Sequence, residues 1–397
     1  MFRYDNLCLK LKSLTVFLAL LSEQPIVRLM ELLQCEDWDK NRLVSLYCGF
    51  VHELYKTCDS LSEWVMKYIS EDENLYVRYI IEGKHPGALI ADRLESELDI
   101  IAELAALSSE EIIGEINAGF PLPRWRSEDA DIRGTYEKRI SEIPTKGYGI
   151  FAKYHMFVVG DEGLIPVRRP DPQRMSELYG YEAERGKVLQ NTLALIEGRP
   201  ANNVLLYGDA GTGKSSTVKA VANELKDRGV RLIEVKKNQL YLLPGIMDSL
   251  EGSPLKYIIF IDDLSFSSGD SDFAALKAIL EGSVGSRGKN IVVYATSNRR
   301  HLIKESMEDR EGDDIHLSDT LQELKSLSAR FGLTITFIQP EKELYCEIVQ
   351  RLAESYGVKM EKDELCRRAE AHAIRNGGRS PRTAKQFVEL LKAGILG

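Results

Sequence analysis

Eight consecutive residues carry the densest chemistry in this chain: Gly208, Asp209, Ala210, Gly211, Thr212, Gly213, Lys214 and Ser215, reading GDAGTGKS. Glycines at that spacing let backbone N–H groups turn inward around phosphate oxygens, where side chains would obstruct them. Lys214 brings a cation to the terminal phosphates of a nucleoside triphosphate, and Ser215 offers a hydroxyl to Mg²⁺. Ser216 follows on the same turn. An apolar run at 204–207 precedes the glycines. A helix beginning near Lys214 would add its positive N-terminal end to the cradle.

A second apolar run, 257–261, ends in Asp262 and Asp263. Ligands of open α/β sheets sit at the carboxyl ends of strands, where both carboxylates fall. Asp262 is expected to hold Mg²⁺, partly through water, because that ion keeps much of its hydration shell. Asp263 is expected to polarise the attacking water. The run 291–295 leads into Thr-Ser-Asn298, and Asn298 can orient that water or meet the terminal phosphate. Arg330 stands just before the last apolar run, 333–338. There it is either a cation donated to a neighbouring subunit's phosphate or a surface arginine paired with the acidic stretch 305–323. Arg375, Arg379, Arg382 and Lys385 crowd a region without an acid between Ala371 and Val388. Ser380 reads as an N-cap with Pro381 at the first helical position. Cations at that helix end oppose its dipole, which an anionic triphosphate would relieve.

These residues need a scaffold that brings strand ends together. From Tyr179 onward apolar strands (204–207, 230–235, 257–261, 291–295, 333–338) alternate with helix-length segments, the pattern of a parallel sheet covered on both faces. The expected fold is α/β, a parallel sheet in a nucleotide-binding domain over 173–340. A helical lid over 341–397 and a mainly helical N-terminal domain over 1–118 accompany it. Residues 119–172 read as a linker with a β-hairpin at 157–167, since Pro121 and Pro123 stop a helix. In the N-terminal region Leu94, Leu98, Ile101, Leu104 and Ala105 share one helix face. That region is expected to be a partner-binding or regulatory module.

Bulk properties bound the rest. A length of 397 residues calls for two or three domains. The net charge of −9 argues against bulk attraction to nucleic acid or membrane. Six cysteines without a CxxC pair read as reduced, mostly buried thiols, and no HExxH occurs. The apolar stretch 14–21 is too short to span a membrane, and Glu23 and Arg28 follow it, so it reads as a buried helix in a cytoplasmic protein.

Taken together, residues 174–397 resemble the AAA+ superfamily of P-loop ATPases. The loop 208–215 resembles Walker A and Asp262–Asp263 resembles Walker B. Asn298 resembles sensor 1, Arg330 the arginine finger, and Arg382 in SPRTA the sensor 2 arginine, with Arg379 close enough to take that role. The segment LYGY, with Tyr179 and Gly180, resembles the adenine contact. A closer resemblance is to an uncharacterised bacterial AAA+ family, through PANNVLLYG (200–208), FIDDLSF (260–266) and YATSNRRHL (294–302). The resemblance implies ATP and Mg²⁺ as ligands and a homo-oligomer. It also implies hydrolysis between subunits that moves a protein partner through the N-terminal domain. Most members carry Glu where Asp263 stands, and the side chain one methylene shorter implies a different reach to the attacking water and slower turnover. Two alternatives remain. One is a nucleic-acid loader using Arg287, Lys289, Arg299 and Arg300, and the other is a P-loop kinase acting on a small metabolite.

Overall fold

The computed structural model describes residues 5–35, 39–264, 276–277, 279–280, 289–298 and 329–396. The chain divides into two compact units, Met1–Lys153 and Tyr154–Gly397.

The first unit is helical: α1 (Asp5–Lys12), α2 (Gln24–Leu33), α3 (Lys40–Tyr55), α4 (Leu61–Glu71), α5 (Leu75–Ile81), α6 (Ala88–Ala105), α7 (Ser109–Ile116), α8 (Ile132–Lys146) and α9 (Gly149–Lys153). Side chains of Asp39, Ser60, Asn74 and Ser108 accept from the first-turn N–H groups of α3, α4, α5 and α7, satisfying donors that a helix start leaves unpaired. The face of α6 carrying Leu94, Leu98, Ile101, Leu104 and Ala105 is buried, as its spacing predicts.

The stretch 14–21 differs from its sequence reading. Leu14, Val16, Phe17 and Leu20 are buried, but the backbone makes only a 3-10 turn, Leu18–Ser22. Just before that turn the carboxylate of Glu97 on α6 accepts from the N–H groups of Thr15, Val16 and Phe17. Three successive amides that would otherwise lack partners are thereby satisfied by one carboxylate. The thiols also differ: Cys8 and Cys35 are buried, whereas the other four are half-buried.

Residues 119–172 are more structured than a linker. Helices α8 and α9 lie within the first unit. The buried stripe of α8 runs Ile132, Tyr136, Arg139, Ile143, and the arginine in it dilutes the apolar period that would announce a helix. Strands β1 (Met156–Gly160) and β2 (Gly163–Pro166) form the expected hairpin. That hairpin is built into the sheet of the second unit, because β1 pairs in parallel with β4 (Val230–Val235). It thereby supplies partners to a row of backbone groups that an edge would leave open.

The second unit holds one seven-stranded sheet in the order β2-β1-β4-β5-β6-β3-β7. The remaining strands are β3 (Val204–Gly208), β5 (Lys256–Ile261), β6 (Ile291–Ser297) and β7 (Leu333–Phe337). Every neighbouring pair except β1–β2 is parallel. β6 is buried along its whole length and β5 along nearly all of it, which requires cover on both faces. Helices α10 (Glu182–Ile196), α11 (Lys214–Leu225) and α12 (Leu243–Leu250) connect the strands. Three more helices, α13 (Lys342–Tyr356), α14 (Lys362–Arg375) and α15 (Pro381–Lys392), pack Tyr345, Ile348, Leu365, Ala369 and Phe387 into a core of their own. The topology sets the carboxyl ends of β5, β6 and β3 side by side, so the residues that follow them meet. Among the described residues no helix is long and apolar enough to cross a membrane.

Candidate functional site

The loop after β3 is shaped by close backbone approach. Gly208 has φ 133°, and a Cβ there would lie 2.0 Å from the carbonyl oxygen of Phe337. The strands β3 and β7 therefore need glycine at this point. The Asp209 N–H donates to Phe337 O at 2.9 Å, and the Asp209 carboxylate accepts from the Gln339 N–H at 2.6 Å. Thr212, fully buried, donates to Asp209 O at 2.8 Å. Lys214 opens α11 and is itself buried; its ammonium donates to Gly208 O at 2.8 Å and Asp209 O at 2.7 Å. Burial lowers its pKa, against the raising pull of Asp209, Asp263 and Asp262. The N-terminal end of α11 and this ammonium thus face the same space, one suited to an anion.

The acids assemble at the next strand ends. Oδ1 of Asp262 accepts from Ser215 Oγ at 2.6 Å and from Thr296 Oγ1 at 2.5 Å. The Asp263 N–H donates to Thr296 Oγ1 at 2.9 Å. Asn298 Nδ2 donates to Asp263 Oδ1 at 2.8 Å. Asp263 holds φ 52°, a left-handed backbone for a residue that has a Cβ. Such strain costs about 1–3 kcal/mol and persists only where surrounding bonds fix it. The donor set of hydroxyls and carboxylates is hard oxygen throughout, the chemistry Mg²⁺ takes.

These groups line one cavity of about 480 Å³, within the size range of small-ligand sites. Ala210, Gly211, Gly213, Lys214, Ser215 and Ser216 border it from the loop. Asp262, Asp263 and Asn298 border it from the strand ends. Tyr179 and Arg382 close it from the preceding segment and from α15. Gly208, Asp209, Thr212 and Gly180 do not line it. The first three shape the loop from behind. Gly180 (φ 75°) lets the chain pass Ile348, whose Cδ1 would lie 2.8 Å from a Cβ. Arg330 also lies outside the cavity of its own chain. Arg379 makes a two-bond ion pair with Glu370, at 2.7 and 2.8 Å, and does not line the cavity. Arg382 lines it and donates its N–H to Gly211 O at 3.2 Å. Ser380 caps α15 as its sequence predicts, accepting from the Thr383 N–H. Arg287, Arg299 and Arg300 lie outside the described residues, as does the acidic stretch 305–323.

Several lining residues carry no sequence signal strong enough to single them out. Thr296 lies within β6 and shows in sequence only as a polar residue at the end of an apolar run. Ile348 and Leu352, one turn apart on α13, give the cavity an apolar wall beside Leu178 and Tyr179. In sequence they are indistinguishable from core positions. Arg185, on α10, lines the cavity while almost wholly buried.

Residues 152–395 match the profile of a family described as Protein of unknown function (DUF815). Over 272 residues the chain is 24% identical to the chaperone protein ClpB of Nitratidesulfovibrio vulgaris, covering 61% of this chain and 30% of that one. The chain spans less than a third of the length of the curated relatives it matches. Among solved structures, the RuvB Holliday junction branch migration motor of Thermotoga maritima superposes with a TM-score of 0.38 at 20% identity, covering 56% of this chain and 65% of that one. The FIGL-1 AAA domain in complex with ADP gives a TM-score of 0.40 at 20% identity, covering 57% and 74%.

Proposed function

We propose a function from this premise: the chain belongs to the DUF815 family, and its second unit is a P-loop α/β body of the AAA+ type. That unit binds ATP with Mg²⁺ in the cavity at the carboxyl edge of the sheet and hydrolyses the terminal phosphate. The observation that carries this reading is the bonded row Ser215–Asp262–Thr296 and Asp263–Asn298 set beside Lys214.

The loop amides and Lys214 hold the phosphate oxygens, and the wall of Leu178, Tyr179, Ile348 and Leu352 receives the base. Mg²⁺, when bound, would neutralise phosphate charge, and Ser215 and Asp262 would hold it, partly through water. Asp263 orients the attacking water, and Asn298 fixes the carboxylate that does so. Arg382 brings a cation to the phosphates from α15, so nucleotide and lid helix attract each other. A trans role for Arg330 is supported by its standing outside its own chain's cavity. ATP would then join copies of the chain, and turnover would act on a protein partner held by the first unit.

Calorimetric titration of the folded chain with ATP and Mg²⁺ tests the core of this reading; no heat of binding would end it. Phosphate release tests turnover. The mass of the particle with and without ATP tests assembly, and a monomer under both conditions removes Arg330 from the mechanism.

A further inference from the structure

Arg185 is 3% exposed, and among the described residues no carboxylate lies within ion-pair distance of it. Its guanidinium donates from Nη1 to Leu178 O and from Nη2 to Tyr179 O, the latter at 3.2 Å. Nε is buried without an acceptor. On its other side the group backs onto the phosphate loop, where a Cβ on Gly213 would lie 3.7 Å from Nη2. Burying an unpaired cation costs several kcal/mol, and burial pulls this pKa down to about 10 against the opposing pull of Glu182, Tyr181 and Glu184. An apolar side chain would avoid that cost. What a planar fork adds is a grip on two consecutive carbonyls at once. The carbonyls belong to the segment that lines the cavity, and Arg351 covers the Tyr179 ring with its guanidinium carbon 5.0 Å from the ring centre.

The geometry points to Arg185 as a positioning residue for nucleotide recognition, holding the base-contacting segment Leu178–Tyr179 in register with the phosphate loop. This rests on the reading of the cavity as an ATP site. It acts through the backbone of that segment, so it serves the part of the ligand that carries a base.

The test compares ATP with inorganic tripolyphosphate, which has no base, on the full chain and on Arg185→Met and Arg185→Lys. Both variants should bind ATP about tenfold or more weakly, the worth of bonds to a charged donor. Tripolyphosphate affinity should stay unchanged, which also reports that the loop is folded. KM for ATP should rise while kcat holds. Lysine should not rescue, because one ammonium on a flexible stem cannot span both carbonyls. Amide exchange at 178–180 should quicken in both variants. Unchanged ATP affinity, an equal loss for both ligands, or full rescue by lysine overturns the proposal. A native chain that binds tripolyphosphate but not ATP refutes base recognition itself, and one that binds neither refutes the site.

Discussion

Glu97 in the first unit and Lys214 in the second are both buried charges, and they are satisfied in opposite ways. Glu97 accepts from three consecutive amides, from Thr15 Oγ1 at 2.8 Å and from Arg93 Nε at 2.8 Å. Burial alone would raise its pKa, but the donors of Phe17, Thr15 and Val16 outweigh burial and hold it below the usual range. Among the described residues Lys214 meets two carbonyl oxygens of its own loop, and burial dominates, lowering its pKa. A charge that serves structure is saturated within the fold. In the role proposed for it, Lys214 is left with an offset that an anion would complete.

The contrast can be broken at four points. Replacing Glu97 with Ala should have the largest effect, a loss of about 3–5 kcal/mol in urea unfolding, because Arg93 and three amides lose their acceptor. The Glu97 contribution is complete above its unfolded-state pKa of about 4.3 and fades as pH falls through the lower folded-state value. Glu97→Gln should flatten that acid limb, and a stability curve indifferent to both changes would undo the structural half of the comparison. Lys214→Ala should leave stability nearly unchanged and weaken ATP by about 100-fold or more, measured calorimetrically. A fall in stability with ATP binding intact would reverse its assignment. Asp263→Asn should slow phosphate release by about 100-fold while ATP still binds, because the water loses its orienting carboxylate. Thr296→Val should be mildest, raising the Mg²⁺ needed for half-maximal turnover by about tenfold as Asp262 loses one of its two hydroxyl donors. If Mg²⁺ dependence is unaltered, Thr296 is only a strand residue.

Legibility in the sequence followed the range over which each signal acts. The strand–loop–helix unit around 208–215 was readable because its glycines, lysine and serine are contiguous, and the strand before them and helix after them are local patterns. The five strand positions and the helical character of 341–397 were readable for the same reason: apolar runs and period 3.6 are written along the chain. The hairpin at 157–167 was legible as a hairpin, but its membership in the sheet depends on β4, more than sixty residues away. The turn at Leu18–Ser22 eluded periodicity because the chain before it is held by Glu97, remote in sequence, through the amides of Thr15, Val16 and Phe17. Helix α8 was obscured by Arg139 in its buried stripe. Ile348 and Leu352 read as core because nothing local separates a core face from a cavity wall.

Residue types and their short-range spacing determined that this chain carries a glycine-rich loop after a strand, a carboxylate pair at a strand end, and an α/β body to hold them. Tertiary structure alone decided which arginine of α14–α15 and its approach faces the cavity, since Arg379 is taken by Glu370 while Arg382 is turned inward. It also decided that Thr296 shares Asp262 with Ser215, and that Arg185 reaches two carbonyls from inside α10. The physical reason is that a hydrogen bond depends on distance and direction, which a one-dimensional string carries only for near neighbours.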